Sequence, residues 1–133
     1  MAIRVVRLGT AKERGEGLRF GTVRFLPRGV RKQDYAKLNY FDLWLPDVAP
    51  SRALVSYAQV KPWTDARWAA YTRRYLREMR RPLARRLVTL LAMFSKHANF
   101  SIGCYCENPR RCHRSLLADL VREQGGKVHS RFR

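Results

Sequence analysis

Twelve consecutive residues, Cys104–Ser115, read Cys-Tyr-Cys-Glu-Asn-Pro-Arg-Arg-Cys-His-Arg-Ser and contain all three cysteines of the chain. Four readings of that stretch compete. The first is metal binding: thiolates and imidazole suit zinc, so Cys104, Cys106, Cys112 and His113 form a candidate ligand set. Two features weigh against it. The C-x-C-x5-C-H spacing departs from the usual C-x2–4-C hairpin, and helix neighbours such as Cys112 and His113 diverge by about 100° around the axis. The second is thiol catalysis, with Cys112 or Cys106 near a helix N-terminus and His113 as base. Cys104 and Arg110 also satisfy C-x5-R, the spacing with which phosphatase loops surround phosphate. Glu107 would repel a phosphate there, the loop has no glycine, and arginine is frequent enough for chance to supply the match. The third is redox pairing of Cys106 with Cys104 or Cys112, which strains a C-x-C ring. The fourth is packing, since free cysteines are among the most buried residues. Packing is the reading favoured for the cysteines.

The surrounding pattern says how the stretch is held. Phe100–Tyr105 is a short apolar run that suits a buried strand. Asn108 caps, and Pro109 opens, a helix expected to run to about Gln124, where Gly125 closes it. The stretch is therefore a loop at the carboxyl end of a strand feeding a helix N-terminus, a place where open α/β sheets collect ligands and anions. Upstream, Ile3–Leu8 and Leu18–Leu26 read as strands, the second ended by Pro27-Arg28-Gly29. Val30–Tyr40 is a short helix or an ordered loop. Phe41–Val48 has partial strand character that Pro46 ends. Ser51 caps a short helix to about Tyr57, and Thr64 caps a longer one that buries Trp68, Tyr71, Tyr75 and Met79. Pro82 opens another, running to about Lys96, with Leu83, Leu87, Leu90, Leu91 and Phe94 as its buried stripe. Val128 starts a last short strand or a tail. Strands alternating with helices predict one α/β domain over residues 1–133, three-layered with a largely parallel, Rossmann- or flavodoxin-like sheet.

Composition narrows the partners. The 133 residues are 46% hydrophobic and carry 28 Lys+Arg against 10 Asp+Glu, a formal charge of +18. That field attracts nucleic acid and other polyanions. The arginines, however, spread along the whole chain, as codon bias in a GC-rich genome also produces. No apolar run approaches a bilayer-spanning length, and the amino terminus has no signal-peptide core, so the expectation is a cytoplasmic protein without a membrane partner.

Several segments together resemble a known family. Gly17–Leu26 with Pro27-Arg28-Gly29-Val30, then Trp44-Leu45-Pro46-Asp47-Val48-Ala49-Pro50-Ser51, then Cys112-His113-Arg114-Ser115-Leu116-Leu117-Ala118-Asp119, are similar to the YeaO-like family, domain of unknown function 488. The resemblance covers about residues 3–125. It implies a small α/β domain with no settled activity, and Arg28 and His113 are its matching polar positions. Some members of that family have asparagine at the position of Cys112 and no cysteines upstream. The resemblance thus places any zinc site or cysteine nucleophile in the Cys-His-Arg branch alone.

The leading expectation is a domain that handles an anionic, phosphate- or nucleotide-containing ligand in a strand-end cleft. Arg28, Arg110, Arg114 and Ser115 would bind the anion, and His113 would donate or accept a proton, with Arg28 and Cys112 as further catalytic candidates. One alternative is a noncatalytic nucleic-acid-binding module. The other is a zinc- or thiol-dependent protein using Cys104, Cys106 and Cys112. The sequence requires no cofactor, and zinc is the one it permits.

Overall fold

The computed structural model describes residues 2–108 and 111–132. Its strands are β1 (Ile3–Arg7), β2 (Leu18–Gly21), β3 (Leu43–Trp44), β4 (Phe100–Cys104) and β5 (Val128–Phe132). They form one all-parallel sheet in the order β3-β2-β4-β1-β5. Four helices flank it: α1 (Arg52–Gln59), α2 (Asp65–Glu78), α3 (Pro82–Phe94) and α4 (His113–Glu123). This is the expected three-layer α/β architecture. It shares its layering with Rossmann and flavodoxin domains, while its strands follow a different order from theirs.

The register decides where the site lies. Ile3 pairs with Phe100 and Arg7 with Cys104, while Leu18 pairs with Phe100 and Gly21 with Gly103. The carboxyl ends of β1, β2 and β4 therefore stop side by side. β4 is buried along its whole length, as a central parallel strand covered on both faces should be. Beyond the strand ends, Leu8, Val23, Phe41, Cys104 and Cys112 form a small second core. Gly103 lets that core approach the sheet, because a Cβ there would lie 2.6 Å from Leu8 and 2.9 Å from the Val6 carbonyl.

β2 ends earlier than the sequence suggests. After Gly21 the chain leaves the ladder at Thr22, whose amide and hydroxyl both donate to the Gly103 carbonyl. Arg24 then donates to the carbonyls of Pro46, Ala49 and Pro50, and Trp44 donates to the Val23 carbonyl at 2.7 Å. The first two segments of the family resemblance, Gly17–Val30 and Trp44–Ser51, are thus clamped to one another by these bonds.

The helix caps fall where expected for α1 and α2. Ser51 accepts from the Leu54 amide, Thr64 accepts from that of Arg67, and Tyr71, Tyr75 and Met79 are buried. Ser51 also donates its own amide to Glu78 at 2.8 Å, tying the start of α1 to the end of α2. Ser51→Ala is expected to lower stability by about 1–2 kcal/mol, since it removes the cap and one partner of Glu78. Urea denaturation reads this directly, and a change within about 0.3 kcal/mol would show the cap to be idle.

α3 corrects the sequence reading. Its buried face is Ala84, Val88, Leu91 and Ala92, while Leu83 (53%), Leu90 (45%) and Phe94 (54%) stay exposed. Small side chains let this helix seat closely against its neighbours, and that close fit outweighs the larger transfer energy of burying the leucine row. α4 ends with Gly125 and Gly126 donating to Arg122 and Val121, the paired bonds of a Schellman close. Among the described residues, no helix is long and apolar enough to cross a membrane.

Candidate functional site

Cys104 is the last residue of β4, and His113 is the first of α4. Between them Cys112 is the N-cap, in extended conformation at φ −134° and ψ 150°. The helix thus starts later than the expected cap at Asn108. Cys112 is not a helical neighbour of His113, and the expected 100° divergence does not apply. Instead the Cys112 Sγ stands 3.7 Å from His113 Nδ1.

The other face of the imidazole is fixed. His113 Nε2 lies 2.5 Å from the Thr22 carbonyl, which only accepts, so Nε2 carries the proton and Nδ1 presents a lone pair. The ring is buried and tilted against Tyr75. Burial pushes its pKa down and keeps it neutral. The residue that ends β2 early is therefore the one that orients His113.

The three sulfurs converge. Cys104 and Cys112 stand 2.7 Å apart, the Cys106 amide donates to the Cys104 sulfur at 3.3 Å, and all three Sγ atoms lie within 4.8 Å of one another. That is an arrangement able to hold a metal ion. Burial raises the Cys104 and Cys112 thiols. Cys106, which is exposed, is lowered because the Cys104 and Cys112 thiols donate to it, with a further contribution from the positive charge of Arg114.

Arg114 is buried to 0% exposure. Its Nη2 donates to the Cys106 carbonyl at 2.9 Å, whereas Nε and Nη1 have no hydrogen-bond partner among the described residues. A buried guanidinium in that condition lacks the counter-charge that ordinarily accompanies it. Ser115 spends its hydroxyl on the Cys112 carbonyl at 2.8 Å, a local helix-start bond. Arg110 lies outside the described residues.

Arg28 sits on the exposed turn after β2 and lines an open cavity of about 710 Å3. A second cavity of about 280 Å3 is lined by His113, Cys104 and Cys106. Phe25, Val55, Gln59 and Tyr105 line both, so the two adjoin. A third, of about 390 Å3, also reaches Cys106 and is lined by Lys61, Trp63 and Arg111. Cys106 thus stands where two cavities meet. The structure brings Cys104, Cys106, Cys112, His113 and Arg114 together and sets Arg28 at the neighbouring mouth.

These features coincide with a match along nearly the whole chain: residues 3–125 fit the family model described as the active DUF488-N3 subclade. The chain belongs to the DUF488 family. No curated protein and no solved structure matches it. Within this DUF488 protein, sequence reasoning passed over Thr22, Tyr105 and Tyr71 as site residues. Tyr105 donates to the Phe25 carbonyl at 2.9 Å and walls both adjoining cavities. Its place inside the Cys-Tyr-Cys run was the available signal. Thr22 acts through its backbone carbonyl, which no side-chain pattern reveals.

Proposed function

We propose that this DUF488 protein binds an anionic small molecule, phosphate- or nucleotide-containing, in the cleft at the carboxyl ends of β2 and β4. The observation that carries this reading is the shared wall between the Arg28 cavity and the cysteine–histidine cavity. Arg28 makes no ion pair with any described residue, so its guanidinium is available to a carboxylate or phosphate entering at the mouth. Phe25 and Tyr105 offer apolar faces beside it, and Cys106 lines the adjoining cavity further in. His113, with both ring nitrogens facing protein atoms, orients the floor instead of exchanging protons with the ligand.

The test is calorimetric titration with inorganic phosphate, pyrophosphate and AMP, with adenosine as the neutral control. The anions are expected to bind, and Arg28→Ala is expected to weaken them about 10–100-fold, the worth of one charge-assisted contact. Equal affinity in Arg28→Ala, or equal binding of adenosine, sinks the reading.

A second reading has its own observation. Arg74, Arg77, Arg80 and Arg81 line one groove of about 480 Å3 at the turn from α2 to α3. Among the described residues lining that groove the one carboxylate, Glu78, is engaged by Ser51. Such a groove fits a phosphate backbone and a noncatalytic nucleic-acid-binding role. Binding to mixed-sequence duplex DNA that persists at physiological salt and falls in Arg77→Ala/Arg81→Ala would support it; loss of binding at that salt would reduce it to net charge.

A further inference from the structure

We infer that Cys104, Cys106 and Cys112, with Nδ1 of His113 as the fourth donor, form a site for one zinc ion. The inference stands apart from the anion reading, because it rests on the floor of the cleft and not on its mouth.

Donor type and placement come first. Three thiols and one imidazole are a common tetrahedral set for Zn2+, with Zn–S near about 2.3 Å and Zn–N near about 2.0–2.1 Å. Those lengths put tetrahedral S···S edges at about 3.8 Å and S···N edges at about 3.5 Å. The three sulfurs all fall within 4.8 Å of one another, and His113 Nδ1 adjoins that group at Cys112, 3.7 Å from its Sγ. Cys104 and Cys112, at 2.7 Å, open by about 1 Å to take the ion.

The histidine is already set as a metal ligand needs. Ligating imidazoles almost always donate their other nitrogen to a carbonyl or carboxylate, which fixes both ring and tautomer. The Thr22 carbonyl does this for His113.

Charge supplies the independent observation. Three thiolates, one neutral imidazole and Zn2+ sum to −1. Arg114 is a fully buried cation beside this cluster, with two guanidinium nitrogens unpartnered among the described residues. A buried charge needs a compensating charge close by, and an anionic zinc–thiolate centre provides one. Packed neutral thiols or a Cys104–Cys112 disulfide would not, whereas a single thiolate would, so the donor set and its geometry select the ion and the charge agrees with it. The soft, sulfur-rich set also selects against magnesium and calcium.

The experiment uses the full chain purified without chelator. Elemental analysis is expected to find about one zinc per chain, and chelator-stripped protein titrated with Co2+ should develop the thiolate-to-cobalt charge-transfer and tetrahedral d–d bands. Cys106→Ser, at an exposed position, is expected to fold normally and weaken Co2+ binding at least about 10-fold, with the charge-transfer intensity falling by one thiolate. His113→Ala should shift the d–d bands. Three outcomes overturn the inference: no bound zinc with three freely titrating thiols, a Cys104–Cys112 disulfide in freshly isolated protein, or unchanged Co2+ binding in Cys106→Ser. None of these readouts depends on phosphate or AMP binding, so failure here and failure of the anion reading remain separate results.

Discussion

Arg19→Met is expected to cost about 3–5 kcal/mol of folding stability, because it strands a buried carboxylate. Arg19 and Glu16 are both buried and meet through two bonds, at 2.8 and 3.1 Å. The same guanidinium donates to the Thr10 and Asn39 carbonyls, and Ser101 donates to Glu16 at 2.8 Å. This network lies on the sheet face opposite Phe20 and Ile102, and it fastens the polar segment after β1 to β2 and β4. Burial alone would raise the Glu16 pKa. Donation from Arg19, Ser101 and the Glu13 amide outweighs burial and holds it at about 2, against 4.5 ordinarily.

The sign of the pH effect follows. A carboxyl depressed in the folded state stabilises fully above its unfolded pKa, and that stabilisation drains away as pH falls from about 4.5 to about 2. The full difference is about 3 kcal/mol at about 1.4 kcal/mol per pH unit. Urea denaturation at pH 7 and pH 3 measures both effects: wild type should lose much of its margin at pH 3, and Glu16→Gln should lose less. The double variant Glu16→Gln/Arg19→Met should be less damaged than the sum of its parts. A loss under about 1 kcal/mol in Arg19→Met would remove the network from the stability argument.

The second large effect is expected at Gly17. Its φ is +78°, and a Cβ would fall 2.0 Å from the Asn99 carbonyl oxygen and 2.8 Å from its carbon. Both obstacles are backbone, immediately before the pairing of Leu18 with Phe100. Gly17→Ala must therefore shift the start of β2 or β4 as well as bear a left-handed alanine. Gly15 is the control: it has the same φ of +78° with nothing within 4 Å. Gly15→Ala is expected to cost about 1–2 kcal/mol from conformation alone, and Gly17→Ala about 3 kcal/mol or more once the clash is added. Similar midpoints for the two variants in thermal or urea unfolding would show that the β2–β4 start yields freely.

Much of this architecture is legible in local chemistry. Ser51 and Thr64 cap helices because their hydroxyls accept from amides three residues on, a rule that needs no tertiary information. In the aromatic row of α2, Tyr71 and Tyr75 are buried and Trp68 is half-buried, because no other face of that helix could supply a core. The α3 stripe is not legible in the sequence because the helix carries two apolar faces, and only packing against α4 and the Pro46–Val48 turn selects the one with small side chains. β2 is shorter than its residue pattern predicts for a related reason. Val23 and Phe25 have strand character, but the Thr22 bonds to Gly103 and the grip of Arg24 on the Pro46–Pro50 turn draw the chain away. At the site, the sequence located Cys104–Ser115 and the matching Arg28 and His113. It could not place Cys112 outside the helix, because that follows from an extended backbone conformation, and it could not foresee that Thr22 would orient the imidazole. The three cysteines converge beside His113 because the end of β4 and the start of α4 meet there.

The placement of β1 has a consequence in time. It is the first strand, yet both of its neighbours, β4 and β5, lie about a hundred residues or more downstream. At about 5–20 residues per second, roughly 5–20 s of synthesis separate β1 from its first partner. Over that interval Ile3, Val5 and Val6, all buried in the finished sheet, have no strand to pair with. Such distant pairings also slow folding, because a long loop must close before any contact repays it. The centre of the sheet is therefore among the last parts of the molecule to form, and the cysteine–histidine floor at its strand ends cannot be assembled before it.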